Sequence, residues 1–216
     1  MTVDEAFALA AAHHQAGRLA EAERIYRAIL AAMPDHAETH YNLGLALQSL
    51  ERPDEAAGHY LRAIALNPDD ALAHNNLGNI LASRGRLDEA VARFDRALAA
   101  RPDHAAIHCN RAKVLERLGR PGDAAAAYRR TVALKPDHHD AHLDLANILV
   151  RLDDLEGARF HAEQALAIRP DFIQAHNTLG NILEILGRFD EAMAHLRRAL
   201  ELDPTQLGVH RNLLTS

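Results

Sequence analysis

The chain has a single cysteine, Cys109, no excess of basic residues and no long apolar run. One cysteine cannot form an internal disulfide framework, and a reducing compartment is the more natural setting for it. The formal charge is −6, from 30 acidic and 24 basic residues, which argues against nucleic acid as a partner because phosphates require a basic face. No apolar stretch approaches the roughly 20 residues of a membrane span, and no basic leader precedes an apolar core at the start. We therefore expect a soluble, cytoplasmic protein that binds neither nucleic acid nor membrane.

The usual short signatures of catalysis are also missing from the sequence. It contains no phosphate-cradling glycine loop, no CxxC pair and no GxSxG elbow. We expect no enzymatic activity, no cofactor and no metal site.

What the chain does contain is one segment repeated almost from end to end. Prolines recur 34 residues apart, at Pro34, Pro68, Pro102, Pro136, Pro170 and Pro204. With this proline at position 32, the repeats cover residues 3–36, 37–70, 71–104, 105–138, 139–172 and 173–206, followed by a partial seventh repeat or capping helix at 207–216. A fixed period of this length indicates stacked helical hairpins, each of which contacts only its neighbours. We expect a single elongated domain over residues 1–216.

Apolar residues return at helical spacing within each repeat. Leucines at position 7 (Leu9, Leu43, Leu77, Leu145 and Leu179) and position 11 (Leu47, Leu81, Leu115, Leu149 and Leu183) predict the buried stripe of a first helix, helix A. Glycine at position 15 (Gly17, Gly85, Gly119 and Gly187) favours the left-handed residue that ends a helix. Acidic residues at positions 18 and 19 favour the start of a second helix, helix B. Thr2 and Glu5 fit a capping box, which predicts that the first helix begins at the N-terminus.

Small residues recur where the two helices of a hairpin should cross. Position 20 is alanine in all six repeats, and position 8 is glycine or alanine. Two small residues facing each other allow the helix backbones to approach closely. Position 24 supplies a large ring in four repeats (Tyr26, Tyr60, Phe94 and Tyr128), which we expect to fill the space that the small pair leaves.

The pattern of Leu at 7, Gly or Ala at 8, Ala at 20, Tyr or Phe at 24, Ala at 27 and Pro at 32 resembles that of the tetratricopeptide repeat (TPR) family. The resemblance extends over all six repeats. It implies an all-α, right-handed superhelical solenoid of helix-turn-helix repeats, whose concave surface binds other proteins. The phrases NNLGNIL (75–81) and NTLGNIL (177–183) are most similar to repeats of the O-linked N-acetylglucosamine transferase group and its bacterial relatives.

In the resembled family, positions 2, 5, 6, 9, 12 and 13 of helix A line the concave surface. Positions 6 and 9 of this chain are rich in asparagine, a mediocre helix former whose periodic return calls for another reason. An amide donates and accepts hydrogen bonds at once, which suits the backbone of an extended peptide. The predicted peptide-binding residues are Asn42, Asn76, Asn79, Asn110, Lys113, Arg117, Asp144, Asn147, Asn181 and Asn212. The alternative is that the asparagines hydrogen-bond within the stack.

These patterns favour a protein-protein interaction scaffold that binds an extended peptide or partner segment in its concave groove. One alternative is the substrate-recognition part of a larger glycosyltransferase-like enzyme. Another is a scaffold that self-associates through its C-terminal end, where Leu207, Leu213 and Leu214 begin a helix A that no helix B follows.

Histidine occupies position 4 of six successive repeats: His40, His74, His108, His142, His176 and His210. Neighbouring A helices should be roughly 10 Å apart, whereas zinc–nitrogen distances are about 2 Å, so the ladder cannot form one metal site. We expect a structural or surface role for it, with a response to pH as the alternative.

Overall fold

The computed structural model describes residues 1–204, which form twelve α-helices and, within that range, no β-strand. The helices are α1 (Val3–Gln15), α2 (Leu19–Ala32), α3 (Ala37–Ser49), α4 (Pro53–Leu66), α5 (Ala71–Ser83), α6 (Leu87–Ala100), α7 (Ala105–Arg117), α8 (Pro121–Leu134), α9 (His139–Arg151), α10 (Leu155–Ile168), α11 (Ile173–Ile185) and α12 (Phe189–Leu202). Odd-numbered helices are the A helices and even-numbered helices the B helices. The predicted partial repeat at 207–216, with His210 and Asn212, lies outside the described residues.

The predicted all-α solenoid of helix-turn-helix repeats is confirmed. Each A helix packs against the B helix of its own repeat, and α2, α4, α8 and α10 each pack against the A helix that follows. The chain divides between Asp103 and His104 into two compact units, with α1 to α6 in the first and α7 to α12 in the second. That residues 1–216 form a single domain stays a prediction. None of the helices at residues 1–204 is long and apolar enough to span a bilayer.

Residue 15 of each repeat separates helix A from helix B through a left-handed backbone conformation. Gly17, Gly85, Gly119 and Gly187 have φ between 70° and 75°, as predicted. Glu51 and Asp153 stand in the same place in repeats 2 and 5 and adopt φ of 59° and 62°. A residue with a Cβ meets a steric penalty there that glycine does not. The turn geometry is therefore imposed by the packing of the two helices and is kept even where the local residue disfavours it.

In four repeats the start of helix B carries an ion pair that the helix dipole alone does not predict. The residue before helix B is arginine in five repeats, and none of these arginines caps the helix with its side chain. In repeats 2, 3, 4 and 6 this arginine instead pairs with the acidic residue three positions later: Arg52–Glu55, Arg86–Glu89, Arg120–Asp123 and Arg188–Glu191, at 2.6 to 2.7 Å. Because solvent screens such exposed pairs, each adds little to stability. The acidic residues thus serve both the helix dipole and a local ion pair.

The core of each hairpin is the close crossing of helix A and helix B that the small residues predicted. All six position-20 alanines are buried, and so are all six residues at position 24. A Cβ built on Gly44 would lie 2.7 Å from a ring carbon of Tyr60, and one built on Gly78 would lie 2.8 Å from a ring carbon of Phe94. The large side chain therefore covers the backbone of the small residue directly.

One residue of the predicted buried stripe is exposed. Leu9 has 42% of its surface exposed, whereas the other position-7 leucines are at most 3% exposed. The other four lie on A helices that pack against the B helix of a preceding repeat, and no described helix precedes α1. Leu9 instead borders a cavity of about 360 Å³ between α1 and α2. The prediction that Leu9 is buried was wrong, because helical periodicity does not report whether another helix packs against the outer side of an A helix.

Substituting Gly78 with alanine should destabilise the first unit, because the new Cβ would lie 2.8 Å from a ring carbon of the fully buried Phe94. We expect a loss of about 1–3 kcal/mol in the free energy of unfolding, measured by urea denaturation. Gly58 on α4 is the matched control, since a Cβ there meets no atom within 4 Å. Gly58→Ala should leave the protein unchanged or stabilise it by up to about 1 kcal/mol. Equal stability of the two variants would contradict the close crossing.

Candidate binding surface

The nine described residues of the predicted binding set all lie on A helices. They occupy α3 (Asn42), α5 (Asn76 and Asn79), α7 (Asn110, Lys113 and Arg117), α9 (Asp144 and Asn147) and α11 (Asn181). Positions 6, 9 and 13 are three and seven residues apart, so they share one face of a helix. We call the surface formed by positions 6, 9, 12 and 13 of the A helices the groove face. Every one of the nine side chains is exposed or half-buried there, so all of them can reach solvent.

A cavity of about 360 Å³ lies on the groove face of the first unit. It is lined by His14, Leu45, Gln48, Ser49 and Asn76, which come from the successive A helices α1, α3 and α5. Four of the five side chains are polar. Among the predicted binding residues, only Asn76 belongs to this lining.

Hydrogen bonds fix the orientation of the amide groups around this cavity. The Tyr60 hydroxyl donates to Gln48 Oε1 at 3.0 Å, which occupies the amide oxygen and leaves the Gln48 NH₂ group without a partner among residues 1–204. Burial raises the pKa of Tyr60, so the hydroxyl stays a neutral donor. Gln48 is therefore presented to the cavity as a donor.

The asparagines of the first unit are not all available to a ligand. The Asn42 side chain donates to the carbonyl of Glu38 in its own helix at 2.9 Å, and Asn76 Oδ1 accepts from Asn75 Nδ2 at 3.1 Å. The alternative interpretation, in which the asparagines hydrogen-bond within the stack, therefore applies to part of the ladder.

The same arrangement returns in the second unit with charged residues. The Tyr128 hydroxyl donates to Glu116 Oε1 at 2.6 Å, where Tyr60 has Gln48, and Asp144 stands at the position of Asn76. Burial raises the pKa of Asp144, and Glu116 adds to that shift while Lys113 opposes it. The buried thiol of Cys109 lies in the same cluster, and burial raises its pKa as well. A raised thiol pKa leaves little thiolate, which fits a buried packing residue.

A second cavity on the groove face, of about 130 Å³, lies between α9 and α11. It is lined by Asn147, Val150, Thr178, Asn181, Ile182 and Ile185. Thr178 Oγ1 donates to Asn147 Oδ1 at 3.1 Å, which leaves the Asn147 NH₂ group as a donor with no partner in the described chain. The neighbouring Ile185 has 59% of its surface exposed. Two predicted asparagines, Asn147 and Asn181, are thus brought together beside apolar side chains.

The structure adds residues to the candidate surface that the search for asparagine overlooked. His14, Gln48, Ser49, Val150 and Ile185 all stand at positions 12 and 13 of their repeats. Positions 12 and 13 lie on the groove face in every repeat. The 34-residue period, and not the residue type, was therefore the sequence signal for these residues. Lys113, Arg117, Asp144, Asn42, Asn79 and Asn110 lie on the groove face but outside the linings of both cavities. In the described part of the chain, no three His, Cys, Asp or Glu side chains are grouped to hold a metal ion.

Models of the tetratricopeptide repeat match residues 3–69, 41–105, 109–171 and 173–206. No curated protein matches the sequence significantly. Similar solved structures include YrrB, described as a TPR protein with an unusual peptide-binding site, with a TM-score of 0.80 and 20% identity over 87% of this chain and 96% of that one. PilF of Pseudomonas aeruginosa has a TM-score of 0.82 and 20% identity over 99% and 97% of the two chains. MamA of Desulfovibrio magneticus RS-1 has a TM-score of 0.72 and 23% identity over 79% and 97%. At these identities the likeness establishes the fold.

Replacing Asp144 with asparagine should stabilise the second unit at neutral pH. Asparagine is the residue found at the equivalent position of the first unit, Asn76. The pKa of Asp144 is raised in the folded state, so its contribution to stability is present below the unfolded pKa and is lost as pH rises through the folded value. Asp144→Asn removes that loss, and its melting temperature should exceed that of the unsubstituted chain at pH 7 and approach it near pH 4. The exposed Asp137 is the control, and Asp137→Asn should change little at either pH. An Asp144→Asn variant that melts lower at pH 7 would show that the carboxylate is stabilised there.

Proposed function

Since the chain belongs to the tetratricopeptide repeat family, we propose that this interaction scaffold binds an extended partner segment along the groove faces of its A helices. The observation that carries the proposal is the pair of groove-face cavities, each bordered by an amide whose oxygen is already occupied. Gln48 and Asn147 both present an NH₂ group to their cavity. Such donors suit the carbonyl oxygens of a peptide backbone.

The two cavities differ in what they offer to a partner side chain. The cavity of the first unit is lined mainly by polar groups and suits a polar or backbone contact. The smaller cavity of the second unit has apolar walls from Val150, Ile182 and Ile185 and suits an aliphatic side chain. The similar fold of YrrB, which has a peptide-binding site, supports the choice of a peptide as the ligand.

The two alternatives have less support. The likeness to glycosyltransferase-associated repeats depends on NNLGNIL and NTLGNIL alone, and the matched structures add nothing to it. Self-association through the C-terminal end involves residues outside 1–204. A location in the cytoplasm also stays a prediction.

Selection from a random dodecapeptide phage library tests the proposal even though the partner is unidentified. Peptides retained by the full chain should perturb NMR signals of groove-face residues such as Asn76 and Asn147. Asn76→Ala and Asn147→Ala should each weaken peptide binding by about 0.5–1.5 kcal/mol for each hydrogen bond lost. Their melting temperatures should change little, because alanine is the better helix former.

Arg197→Ala is the matched control for these variants. Arg197 is exposed on α12 and makes no hydrogen bond or ion pair with the described residues, so its removal should leave peptide affinity unchanged. The proposal fails if no peptide is retained, or if retained peptides perturb the B helices and bind the asparagine variants normally.

A further inference from the structure

Position-4 histidines tie four A helices, α3, α5, α9 and α11, to the turn that precedes each of them. His40, His142 and His176 each direct Nε2 to the carbonyl oxygen of the preceding proline, Pro34, Pro136 or Pro170, at 2.9 to 3.1 Å. A carbonyl oxygen only accepts, so Nε2 must carry the hydrogen. In the neutral ring Nδ1 is then a bare acceptor. The bond to proline thus determines the tautomer of these three histidines.

In the same three repeats a second histidine, at position 23 of helix B, faces that acceptor. The pairs are His40–His59, His142–His161 and His176–His195, with Nδ1 to Nδ1 distances of 3.0 Å in each. Because the position-4 Nδ1 accepts, the position-23 Nδ1 must donate. Each pair is therefore joined by one hydrogen, held between a half-buried histidine and a buried one.

A metal ion does not fit between the two nitrogens as they stand. The ring centroids are 5.2 Å apart in all three pairs, so the rings meet through their nitrogen atoms and are not stacked. Zinc requires about 2 Å to each nitrogen, which exceeds the space on a 3.0 Å line. A shared hydrogen accounts for the distance and a shared metal does not.

Repeat 3 shows what happens when the second histidine is missing. His74 makes the same bond to its proline, Pro68, at 3.0 Å, but position 23 is Arg93. Buried His74 Nδ1 then has no hydrogen-bond partner among residues 1–204. A repeat can therefore fold with a position-4 histidine that has no histidine partner on helix B. The fold does not require the pairs of repeats 2, 5 and 6.

We propose that these three histidine pairs are acid-sensitive joints, each able to accept one proton and forced open by a second. The first proton can be placed on Nε2 of the position-23 ring and leaves the shared hydrogen bond intact. The second would place a hydrogen on both Nδ1 atoms and two positive rings side by side. The pair must then separate, which removes one hydrogen bond between helix A and helix B in that repeat and leaves two positive rings beside each other.

The first pair is surrounded by charges of both signs. Burial lowers the pKa of His59, and His40 and Arg27 on α2 act in the same direction. Glu55 on α4 and Glu23 on α2 oppose the shift. The two carboxylates moderate the response of this joint to acid.

The second pair faces a less favourable environment for a proton. Burial lowers the pKa of His161 to about 4, with further lowering from His142 and from Arg129 on α8, while Asp154 opposes it. Burial also lowers the pKa of His142, the Pro136 carbonyl opposes the shift, and His138 at the start of α9 adds to it. We therefore expect the His142–His161 pair to be the hardest of the three to protonate in the folded state and to cause the largest loss of stability in acid.

The third pair is closer to the first in character. Burial and His176 lower the pKa of His195, and the carboxylates of Glu163 on α10 and Glu191 on α12 oppose them.

The direction of the pH effect follows from these lowered pKa values. An unfolded histidine has a pKa of about 6.5, so below that value the unfolded chain binds more protons than the folded chain. The contribution of the neutral histidine pairs to the free energy of unfolding is therefore present above about pH 6.5. It is lost as pH falls from there toward the pKa of the folded state. If the unfolded chain binds one more proton per pair than the folded chain, each pair raises the equilibrium constant of unfolding about tenfold for every unit by which the pH falls.

The tautomers can be read directly by ¹⁵N NMR of histidine-labelled full-length protein at pH 7.5. We expect His59, His161 and His195 to carry hydrogen on Nδ1, and His40, His142 and His176 to carry it on Nε2. Hydrogen on Nε2 alone in the position-23 histidines would overturn the proposal. This measurement uses the unsubstituted chain and does not depend on the folding of any variant.

The acid response can be tested with the triple variant His59→Ala, His161→Ala and His195→Ala, which copies the alanine that repeat 4 has at position 23, Ala127. Between pH 7.5 and 5, its urea midpoint should fall less than that of the unsubstituted chain. The control replaces three histidines that belong to no histidine pair, His13, His14 and His139, with alanine and should keep the original pH dependence. An unchanged pH dependence in the triple variant, or an equal change in the control, would contradict the role of the pairs.

Discussion

The structure depends on how closely helix A approaches helix B in each repeat. Glycine or alanine at position 8 and alanine at position 20 remove the side chains that would hold the backbones apart, and position 24 covers the contact from one side. A core this tight tolerates few changes of volume. The turn at position 15 follows from it, because Glu51 and Asp153 adopt the same left-handed conformation as the glycines of other repeats.

The tight crossing uses only part of each A helix and leaves the groove face free to vary. Position 9 is alanine, leucine, asparagine or lysine in the six repeats, and position 12 is histidine, glutamine, alanine, glutamate or valine. Apart from the buried Ala82, these side chains lie outside the core, so they can change without loss of the fold. The proposed binding surface thus consists largely of residues that packing does not constrain.

Most of the fold, and less of the surface, could be predicted from the sequence. The period, the turn glycines and the small residues at positions 8 and 20 report on packing that repeats in every unit, and the structure agrees with them. Leu9 was misplaced because burial there depends on a neighbour, not on its own helix. The histidine pairs escaped notice because their members lie 19 residues apart on different helices, and no local pattern connects such positions.

The clearest case of variation on a constant frame is the cluster around position 24. In the first unit it consists of Tyr60, Gln48 and Asn76, and in the second of Tyr128, Glu116 and Asp144. The tyrosine makes the same hydrogen bond in both, so the geometry is preserved while two neutral amides become two carboxylates. Burial then raises the pKa of Asp144, because a charge there is harder to accommodate than an amide. The second unit therefore accepts an electrostatic cost that its fold does not require, since the first unit makes the same tyrosine hydrogen bond with neutral amides.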